Sequence, residues 1–337
     1  MMDSERREEG SQLLTNEHDR EVTAIEFALI GIACHALCLI NHAGVFKQLK
    51  ETGSFAERQV LEFNNIHLIK AALVTLVKAN VLHLKGGTYT LSKLGRRLAE
   101  NIGLVTIPLN GYRKLFSKQL QLLDNPAIKD SDIDFGALAV ASIEFGINDL
   151  DPLILDIFRA IKPKGTICDL GCGTGERLVR ICKEIGSSGL GIEKSIQAIQ
   201  QGKKYTKDYS KVEVVKGDVT DLKDVWEDVE IVMMSFVCHD ISSSRACSRM
   251  LRSFQSNFPS MHYLILVDIV SPSEEVPSIM PAFDYVHGLQ GISPRNYEET
   301  VKVFKRANYV ISQEIPVPNM PNTFVWMLKP EKNDNFS

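Results

Sequence analysis

The sequence of 337 residues has little excess charge of either sign. It carries 38 Lys and Arg residues against 42 Asp and Glu residues, which gives a formal net charge of −4. Charges of both signs are interspersed, so the chain offers no basic cluster of the kind that a nucleic-acid or anionic membrane surface requires. Its 44% hydrophobic content is that of an ordinary globular protein. We therefore expect no nucleic-acid partner and a sizeable core.

The cysteines lack the spacing of a structural zinc site. Seven of them, an odd number, are scattered at positions 34, 38, 168, 172, 182, 238 and 247. Because no pair of CxxC motifs occurs, a zinc knuckle is excluded. Several cysteines lie in apolar runs, where a reduced cysteine acts as a small hydrophobic residue. The pattern favours a cytoplasmic protein.

Long hydrophobic runs are also scarce. The first twenty residues are polar and of mixed charge, with no signal segment. The run from Ala24 to Ile40 has seventeen residues, the lower limit for a membrane span, and Gly31 and His35 interrupt it. We interpret it as a helix buried in a core or a subunit interface. The expectation is a homodimer formed through the N-terminal region, with no membrane span.

Residues 21–145 are expected to form a mostly helical, winged-helix-like dimerisation domain. The stretch 66–80 is apolar on most of its circumference and predicts a buried helix. Two short strand-like runs follow around the turn signal at 85–87, and Ser92 is a candidate N-cap for the next helix. A DNA-reading helix needs exposed basic or amide side chains, and 66–80 offers only two lysines. Packing or dimerisation is therefore favoured over DNA recognition.

Residues 146–330 show alternating strands and helices. This rhythm predicts an α/β fold with a Rossmann-like, doubly wound parallel sheet. The expected strands are Gly165–Leu170, Gly189–Glu193, Val212–Lys216, Ile231–Val237 and Tyr263–Ile269, followed by an antiparallel pair at Tyr309–Ile315 and Thr323–Leu328. Residues 1–20 and 331–337 are expected to be polar tails.

A glycine-rich segment follows the first of these strands. The strand ends in Asp169, and Gly171, Gly173 and Gly175 lead into a helix. Glycines let the backbone turn sharply and approach a ligand closely, and the N–H groups at the start of the helix remain free to bind it. A nucleotide site is the natural prediction.

Two further acids stand at the ends of the next strands. A carboxylate at the position of Glu193 can accept hydrogen bonds from both ribose hydroxyls. Asp218 can accept the adenine amino group, with the Val219 N–H as a donor. An acid at one strand end can be merely a turn former or a helix cap. Three in order, at successive strand ends, favour a nucleotide site.

Residues 165–240 resemble the class I S-adenosylmethionine (SAM)-dependent methyltransferases, and the similarity extends over nearly the whole chain. The resemblance implies that SAM binds to Asp169, Gly171, Gly173, Gly175, Glu193, Asp218 and Val219. A nicotinamide dinucleotide site favours G-x-G-x-x-G instead, and the residue three positions after Gly173 is Glu176. The sequence therefore favours SAM over NAD.

A His-Asp pair at 239–240 follows the fourth strand, on the sheet edge where open α/β folds bind ligands. Histidine serves as a general base or as a metal ligand. A packed histidine beside a helix-capping Asp240 is the structural alternative. His287, 48 residues further on, comes from a loop over the same edge. His239 and His287 are therefore candidate ligands of one metal ion.

The whole chain resembles two branches of methyltransferases that carry an N-terminal dimerisation domain. One comprises O-methyltransferases of small-molecule metabolism, in which the histidine of a His-Asp-Trp motif is the general base. The third motif residue here is Ile241 instead of Trp. The other comprises metal-dependent α-keto acid C-methyltransferases of the phenylpyruvate type. That resemblance implies iron or zinc on His239 and His287 and methylation of a β-carbon.

Two further roles complete the sequence-based hypothesis. Arg113 is a candidate partner for a substrate carboxylate, which arginine can hold bidentately, although a solvated helix arginine is an equal alternative. Asp240 would orient a metal-bound water or accept the substrate proton. A non-catalytic SAM-binding regulator is a third hypothesis, disfavoured by the weakly basic helix at 66–80.

Overall fold

The computed structural model describes residues 22–271 and 283–331. The predicted tails at 1–20 and, beyond Glu331, at 332–337 lie outside the described residues. Two compact units divide between Arg96 and Arg97. The sequence predicts a boundary at 145, whereas the helices between 103 and 146 contribute side chains to the core of the second unit.

The first unit combines helices with a small antiparallel sheet. The elements of this unit are the helices Ala24–His42, Val45–Thr52 and Ile66–Lys78, the strands β1 (Phe55–Ala56), β2 (Leu82–Lys85) and β3 (Thr88–Leu91), and the helix Lys93–Glu100, which begins in this unit. The strands pair in the order β1-β3-β2. The helix, hairpin, helix order agrees with the sequence prediction. Ser92 caps the last helix, since its Oγ accepts a hydrogen bond from Gly95 N at 2.9 Å.

Helix Ile66–Lys78 buries only one face. Ile69, Leu73 and Leu76 are buried on it, whereas Leu68 and Val74 are 47% and 46% exposed. The prediction of burial around most of the circumference is therefore wrong for the chain by itself. The helix carries more apolar side chains than the rest of this unit covers.

Helix Ala24–His42 carries a larger exposed apolar surface. Its mean hydropathy is 1.9, and 22% of its most apolar window is buried. Ile25, Phe27 and Ile32 are 81%, 75% and 62% exposed. Within the described residues it is the one helix long and apolar enough to cross a membrane by length and composition alone, a test that core helices also pass.

The second unit is built on a seven-stranded sheet. The strands are β4 (Thr166–Leu170), β5 (Gly189–Glu193), β6 (Val212–Lys216), β7 (Val229–Ser235), β8 (Tyr263–Ile269), β9 (Tyr309–Pro316) and β10 (Thr323–Pro330). Their order in the sheet is β6-β5-β4-β7-β8-β10-β9. β4 to β8 pair in parallel, and β10 pairs antiparallel with both β8 and β9. The predicted α/β class and strand pattern are confirmed.

Helices cover this sheet and lead to its edge. They are Gly103–Thr106, Arg113–Ser117, Gln119–Leu122, Phe135–Gly146, Leu150–Ile161, Glu176–Ile185, Ile196–Thr206, Ser244–Asn257, Phe283–Leu289 and Tyr297–Arg306, with a π-turn at Ile107–Gly111. Successive strand residues enter opposite cores: Ile167 lies in one cluster and Cys168 in the other. Burial on both faces explains why the parallel strands read as continuous apolar runs.

The glycine-rich loop after β4 is held by a close helix contact at Gly202. A Cβ added there would lie 2.0 Å from the carbonyl oxygen of Thr174. The helix Ile196–Thr206 therefore approaches the loop at a distance that only glycine permits.

We expect Gly202→Ala to lower the free energy of unfolding by about 1–3 kcal/mol, because the backbone must shift to admit the methyl group. Thermal unfolding followed by circular dichroism measures the loss. Gly288→Ala is the matched control, since Gly288 is also helical and its added Cβ would meet no atom of the described residues within 4 Å. An equal melting temperature for both variants would contradict the close-contact argument.

Candidate active site

The carboxyl ends of the parallel strands bring the predicted acids to one edge of the sheet. Asp169 and Glu193 are the fourth residue of β4 and the last residue of β5, and Asp218 follows β6 by two residues. Because β6, β5 and β4 are neighbours in the sheet, Asp218, Glu193 and Asp169 follow one another in that order along the edge. The edge has the arrangement that ligand sites of open α/β sheets use.

The glycine-rich loop is folded against the carboxylate of Glu193. Gly171, Gly173 and Gly175 all adopt positive φ angles, of 74°, 57° and 71°. Gly173 N donates to Glu193 Oε2 at 2.9 Å, and Ser195 N donates to Glu193 Oε1 at 2.8 Å. The left-handed backbone at these positions explains why glycine recurs there.

The pKa values of Asp218 and Asp169 are shifted in opposite directions. Burial raises the pKa of Asp218, but hydrogen bonds from the Thr220 N–H and hydroxyl outweigh it and lower the pKa overall. Burial raises the pKa of Asp169 to about 7, and the charge of Arg177 opposes that rise only in part. Asp169 is 3% exposed. Its carboxylate would be favoured by a bound cation.

A cleft of about 520 Å³ opens along this edge. Its lining includes the glycine loop, Glu193, Asp218, Val219, Ser235 and Asp240, together with Ala139 and Ser142 from the helix Phe135–Gly146. Asp240 and most of the predicted nucleotide-binding residues thus border one continuous space, whereas His239 and Gly175 are not among its lining residues. Asp169 lies beneath the loop and is not among the lining residues.

His239, Asp240 and His287 form a cluster at the β7–β8 end of the edge. One ligand atom from each lies within 4.8 Å of the others. The Nε2 atoms of both histidines are 3.6 Å from Asp240 Oδ1, and the ring centroids are 5.1 Å apart. His239 is 8% exposed and His287 1%. The structure therefore brings together the two histidines that the sequence pairs across 48 residues.

Both imidazole rings are oriented by hydrogen bonds at Nδ1. His239 Nδ1 contacts Asp268 Oδ1, and His239 N donates to Asp268 Oδ2 at 3.0 Å. His287 Nδ1 lies 2.7 Å from the carbonyl oxygen of Phe283. When Nδ1–H is the donor, the lone pair is on Nε2, which is the arrangement of metal-ligating histidines.

The charged groups of the cluster shift one another's pKa values. Burial lowers the pKa of His239, but the carboxylates of Asp268 and Asp240 outweigh it and raise the pKa to about 9. Burial raises the pKa of Asp240, whereas His239 and His287 lower it overall. His287 Nε2 is buried and has no hydrogen-bond partner in the described part of the chain. An unmatched buried nitrogen of this kind is costly unless a ligand satisfies it.

Arg295 holds the loop that carries His239. It is 5% exposed, and its guanidinium donates to the carbonyl oxygens of Cys238 and Ile241 on either side of the His-Asp pair. Arg295 cannot be recognised from the sequence, because a lone arginine in a loop more than fifty residues away carries no local signal. Asp268 has no predicted role either, although its position near the end of β8 hints at one.

Phe236 occupies a strained conformation beside the cleft. Its φ angle is 57°, in the left-handed region that a bulky residue rarely adopts. Its N–H donates to Val267 O at 2.8 Å, and its ring lies against Phe145 with centroids 6.1 Å apart. Backbone strain of this kind concentrates at functional sites. Here it turns the chain from β7 into the loop with the His-Asp pair.

Arg113 lies outside this arrangement. It is exposed at the first position of the helix Arg113–Ser117, and it is not among the residues that line the cleft. Its predicted contact with a substrate carboxylate stays a prediction.

Comparison with known proteins agrees with this architecture. Residues 161–313 match a family model described as a methyltransferase domain. Among solved structures, the mitomycin 7-O-methyltransferase MmcR is 13% identical, with a TM-score of 0.62 over 97% of this chain and 99% of that one. PigF, solved with SAH, is 14% identical, with a TM-score of 0.64 over 91% of this chain and 98% of that one. At these identities the structures show a shared fold.

A relative in sequence is the indolepyruvate C-methyltransferase of Streptomyces griseus. It is 31% identical over 307 residues, which cover 88% of this chain and 92% of the relative. Identity over that length extends well beyond the glycine-rich motif. The chain therefore belongs to the class I SAM-dependent methyltransferases.

Proposed function

We propose that the cleft binds SAM with its adenosine at the β5–β6 side and its methionine end toward β4 and β7. Glu193 would accept the ribose hydroxyls, and Asp218 with Val219 would bind adenine. The glycine loop and Asp169 would hold the methionine end. The support is the order of the carboxylates along the edge and the continuity of the cleft from Asp218 to Asp240.

We propose further that the substrate is a small α-keto acid, methylated on its β-carbon. The single observation that carries this proposal is the cluster of His239, Asp240 and His287 beside the cleft. The relative from Streptomyces griseus bears the name of an enzyme that methylates a carbon of indolepyruvate. The aromatic rings of Phe283 and Phe236 lie close to the cluster and the cleft, which suits an aryl side chain.

The residues of the cluster fit a catalytic iron or zinc ion. His239 and His287 each place Nε2 3.6 Å from Asp240 Oδ1, and the Nε2 atom of His287 is buried without a hydrogen bond from the described residues. Two imidazoles, with or without a carboxylate, leave positions open, as a catalytic site requires. The chemistry that such an ion supplies when bound is Lewis acidity toward the keto oxygen.

A side chain of this protein would accept the proton that the β-carbon loses. Transfer forms a bond between the β-carbon and the methyl group, breaks the bond between that methyl group and sulfur, and leaves S-adenosylhomocysteine. The β-carbon loses one proton. Asp240, whose pKa is lowered and whose side chain is 43% exposed, would be ionised and placed to accept it.

O-methylation with His239 as the general base is the second candidate. The shared fold with a 7-O-methyltransferase favours it. A general base must be neutral before it acts, whereas a pKa of about 9 leaves His239 protonated at neutral pH. A metal ligand must be neutral as well, so this pKa does not separate the two candidates. The presence of His287 in the same cluster favours the metal site, since a lone general base needs no second histidine.

We propose that helix Ala24–His42 forms a homodimer interface. Its exposed Ile25, Phe27 and Ile32 form an apolar surface of the kind that marks contacts between chains. Burying such side chains contributes about 1.5–3 kcal/mol each.

The affinity for SAM should fall as the pH drops below 7. The ammonium group of the ligand favours ionised Asp169, so binding expels the proton that Asp169 carries at low pH, since its pKa is about 7 in the free protein. Calorimetric dissociation constants between pH 5.5 and 7.5 measure the slope, up to about tenfold per pH unit. Asp169→Asn should remove the slope. An unchanged slope in that variant would assign the proton to another group.

Removal of either histidine should abolish both the metal and turnover. His239→Ala and His287→Ala should each lose stoichiometric iron or zinc by elemental analysis. Each should also lose about a hundredfold or more of the activity, measured as a gain of one methyl group on the β-carbon across a panel of α-keto acids. SAM binding should persist, because neither histidine is among the residues that line the cleft.

The exposed His262 provides the matched control for the metal experiment. His262→Ala should keep both metal and turnover. Full activity of the wild-type enzyme after exhaustive chelation would overturn the keto acid proposal. Loss of turnover in His239→Ala alone, with transfer to a hydroxyl acceptor, would support the O-methyltransferase.

The dimer should dissociate when the exposed apolar surface of this helix is charged. Phe27→Glu should shift the sedimentation profile from dimer to monomer at micromolar concentration, because a buried unpaired carboxylate is costly. Val225→Glu, at a residue 58% exposed in the second unit, should leave the profile unchanged. A monomeric wild-type protein, or its recovery with membranes, would refute the interface.

A further inference from the structure

Arg177 is a buried cation with an unused donor. It is the second residue of the helix Glu176–Ile185, immediately after the glycine loop, and it is 6% exposed. Its Nε donates to Asp151 Oδ1 at 2.7 Å. Its Nη2 is buried and has no hydrogen-bond partner among the residues that the structure describes. A charged donor left in this state is costly, which calls for an explanation.

The unused donor is held in a fixed position. A Cβ added to Gly146 would lie 2.9 Å from Arg177 Nη2, so the nitrogen packs against the end of the helix Phe135–Gly146. The carboxylate of Asp151 is shared with Arg180, which also lies 3.6 Å from Glu176 Oε1. One carboxylate therefore anchors two guanidinium groups and leaves Arg177 with capacity for a further anion.

Arg177 lines the same cleft as Ser235, whose Oγ is likewise buried and lacks a partner in the described residues. In the sheet order, β6 and β5 lead to Asp218 and Glu193 on one side, and β8 lies on the side of the histidine cluster. β4 and β7 lie between them. Arg177 follows β4, and Ser235 ends β7. Both orphaned groups thus belong to the part of the cleft that lies opposite Asp218.

The ligand end expected there is an α-amino acid. Asp169 lies close enough to Arg177 for the two charges to interact, so an anion-binding and a cation-binding group stand together. An α-amino acid carries a carboxylate and an ammonium group on one carbon. The paired charges of Arg177 and Asp169 complement those two groups.

We propose that Arg177 binds the α-carboxylate of SAM through its free Nη2 and thereby selects cofactors that carry this group. The proposal rests on the proposed orientation of SAM in the cleft. Ser235 Oγ supplies a second polar contact at that end. Asp151 is then a positioning residue, which fixes the guanidinium without touching the ligand.

The test compares SAM with decarboxylated SAM, which differs only in the α-carboxylate. Calorimetry of the full chain should give the wild type a clear preference for SAM. Arg177→Met should weaken SAM binding about 10- to 100-fold, as expected for the loss of one charged hydrogen bond. Its affinity for decarboxylated SAM should change less than about threefold, so the preference disappears.

Arg180→Met is the matched control. Arg180 pairs with the same Asp151 but is not among the lining residues, so this variant should keep the preference for SAM. Arg177→Lys keeps the positive charge without the planar fork and should recover part of the preference. It also decides the matter if Arg177→Met fails to fold.

The outcomes separate the two proposals. A wild-type protein that binds both ligands equally, or an Arg177→Met variant that keeps the full preference for SAM over decarboxylated SAM, would overturn the role of Arg177. Asp218→Ala tests the orientation of SAM independently and should weaken both ligands to the same extent. An Asp218→Ala variant with unchanged affinities would overturn the proposed orientation, whatever the result at Arg177.

Discussion

The parallel pairing of β4 to β8 is the constraint on which the site depends. Parallel strands all end at the same edge, so residues that are far apart in sequence meet there. The pairing of the strands brings them together, and no strong contact between the side chains is needed. β4 ends beside Asp169, β7 in Ser235 and β8 just beyond Asp268. Burial of the sheet on both faces fixes this register, because a slip of one residue would exchange the two cores.

Asp268 links the position of β8 to the orientation of His239. Its two oxygens accept from the backbone and the ring of His239, so the end of β8 sets both the position and the orientation of a side chain that follows β7. Arg295 restrains the same loop through its carbonyl oxygens. The imidazole is thus oriented before any ligand arrives, which reduces the entropy that binding must overcome.

The sequence predicts the strands and the placement of three acids at one edge of the sheet well, because both depend on local patterns. Apolar runs give the strands, and acids at the strand ends give the edge, as for Glu193. It also predicts the proximity of His239 and His287, through a family resemblance. Arg177 and Arg295 escape notice because their importance lies in an unsatisfied or long-range hydrogen bond, which no spacing in the sequence records. Helix Ile66–Lys78 shows the opposite failure, since composition does not say which face a fold covers.

The position of β10 has a consequence for how the chain is made. This strand, with the fully buried Trp326, pairs with β8 on one side and β9 on the other, although it follows both in the sequence. During translation, β8 therefore keeps an unpaired edge until residues 323–330 have left the ribosome. An unpaired apolar strand edge is a template for aggregation, so stalled or truncated chains need protection by chaperones at this stage.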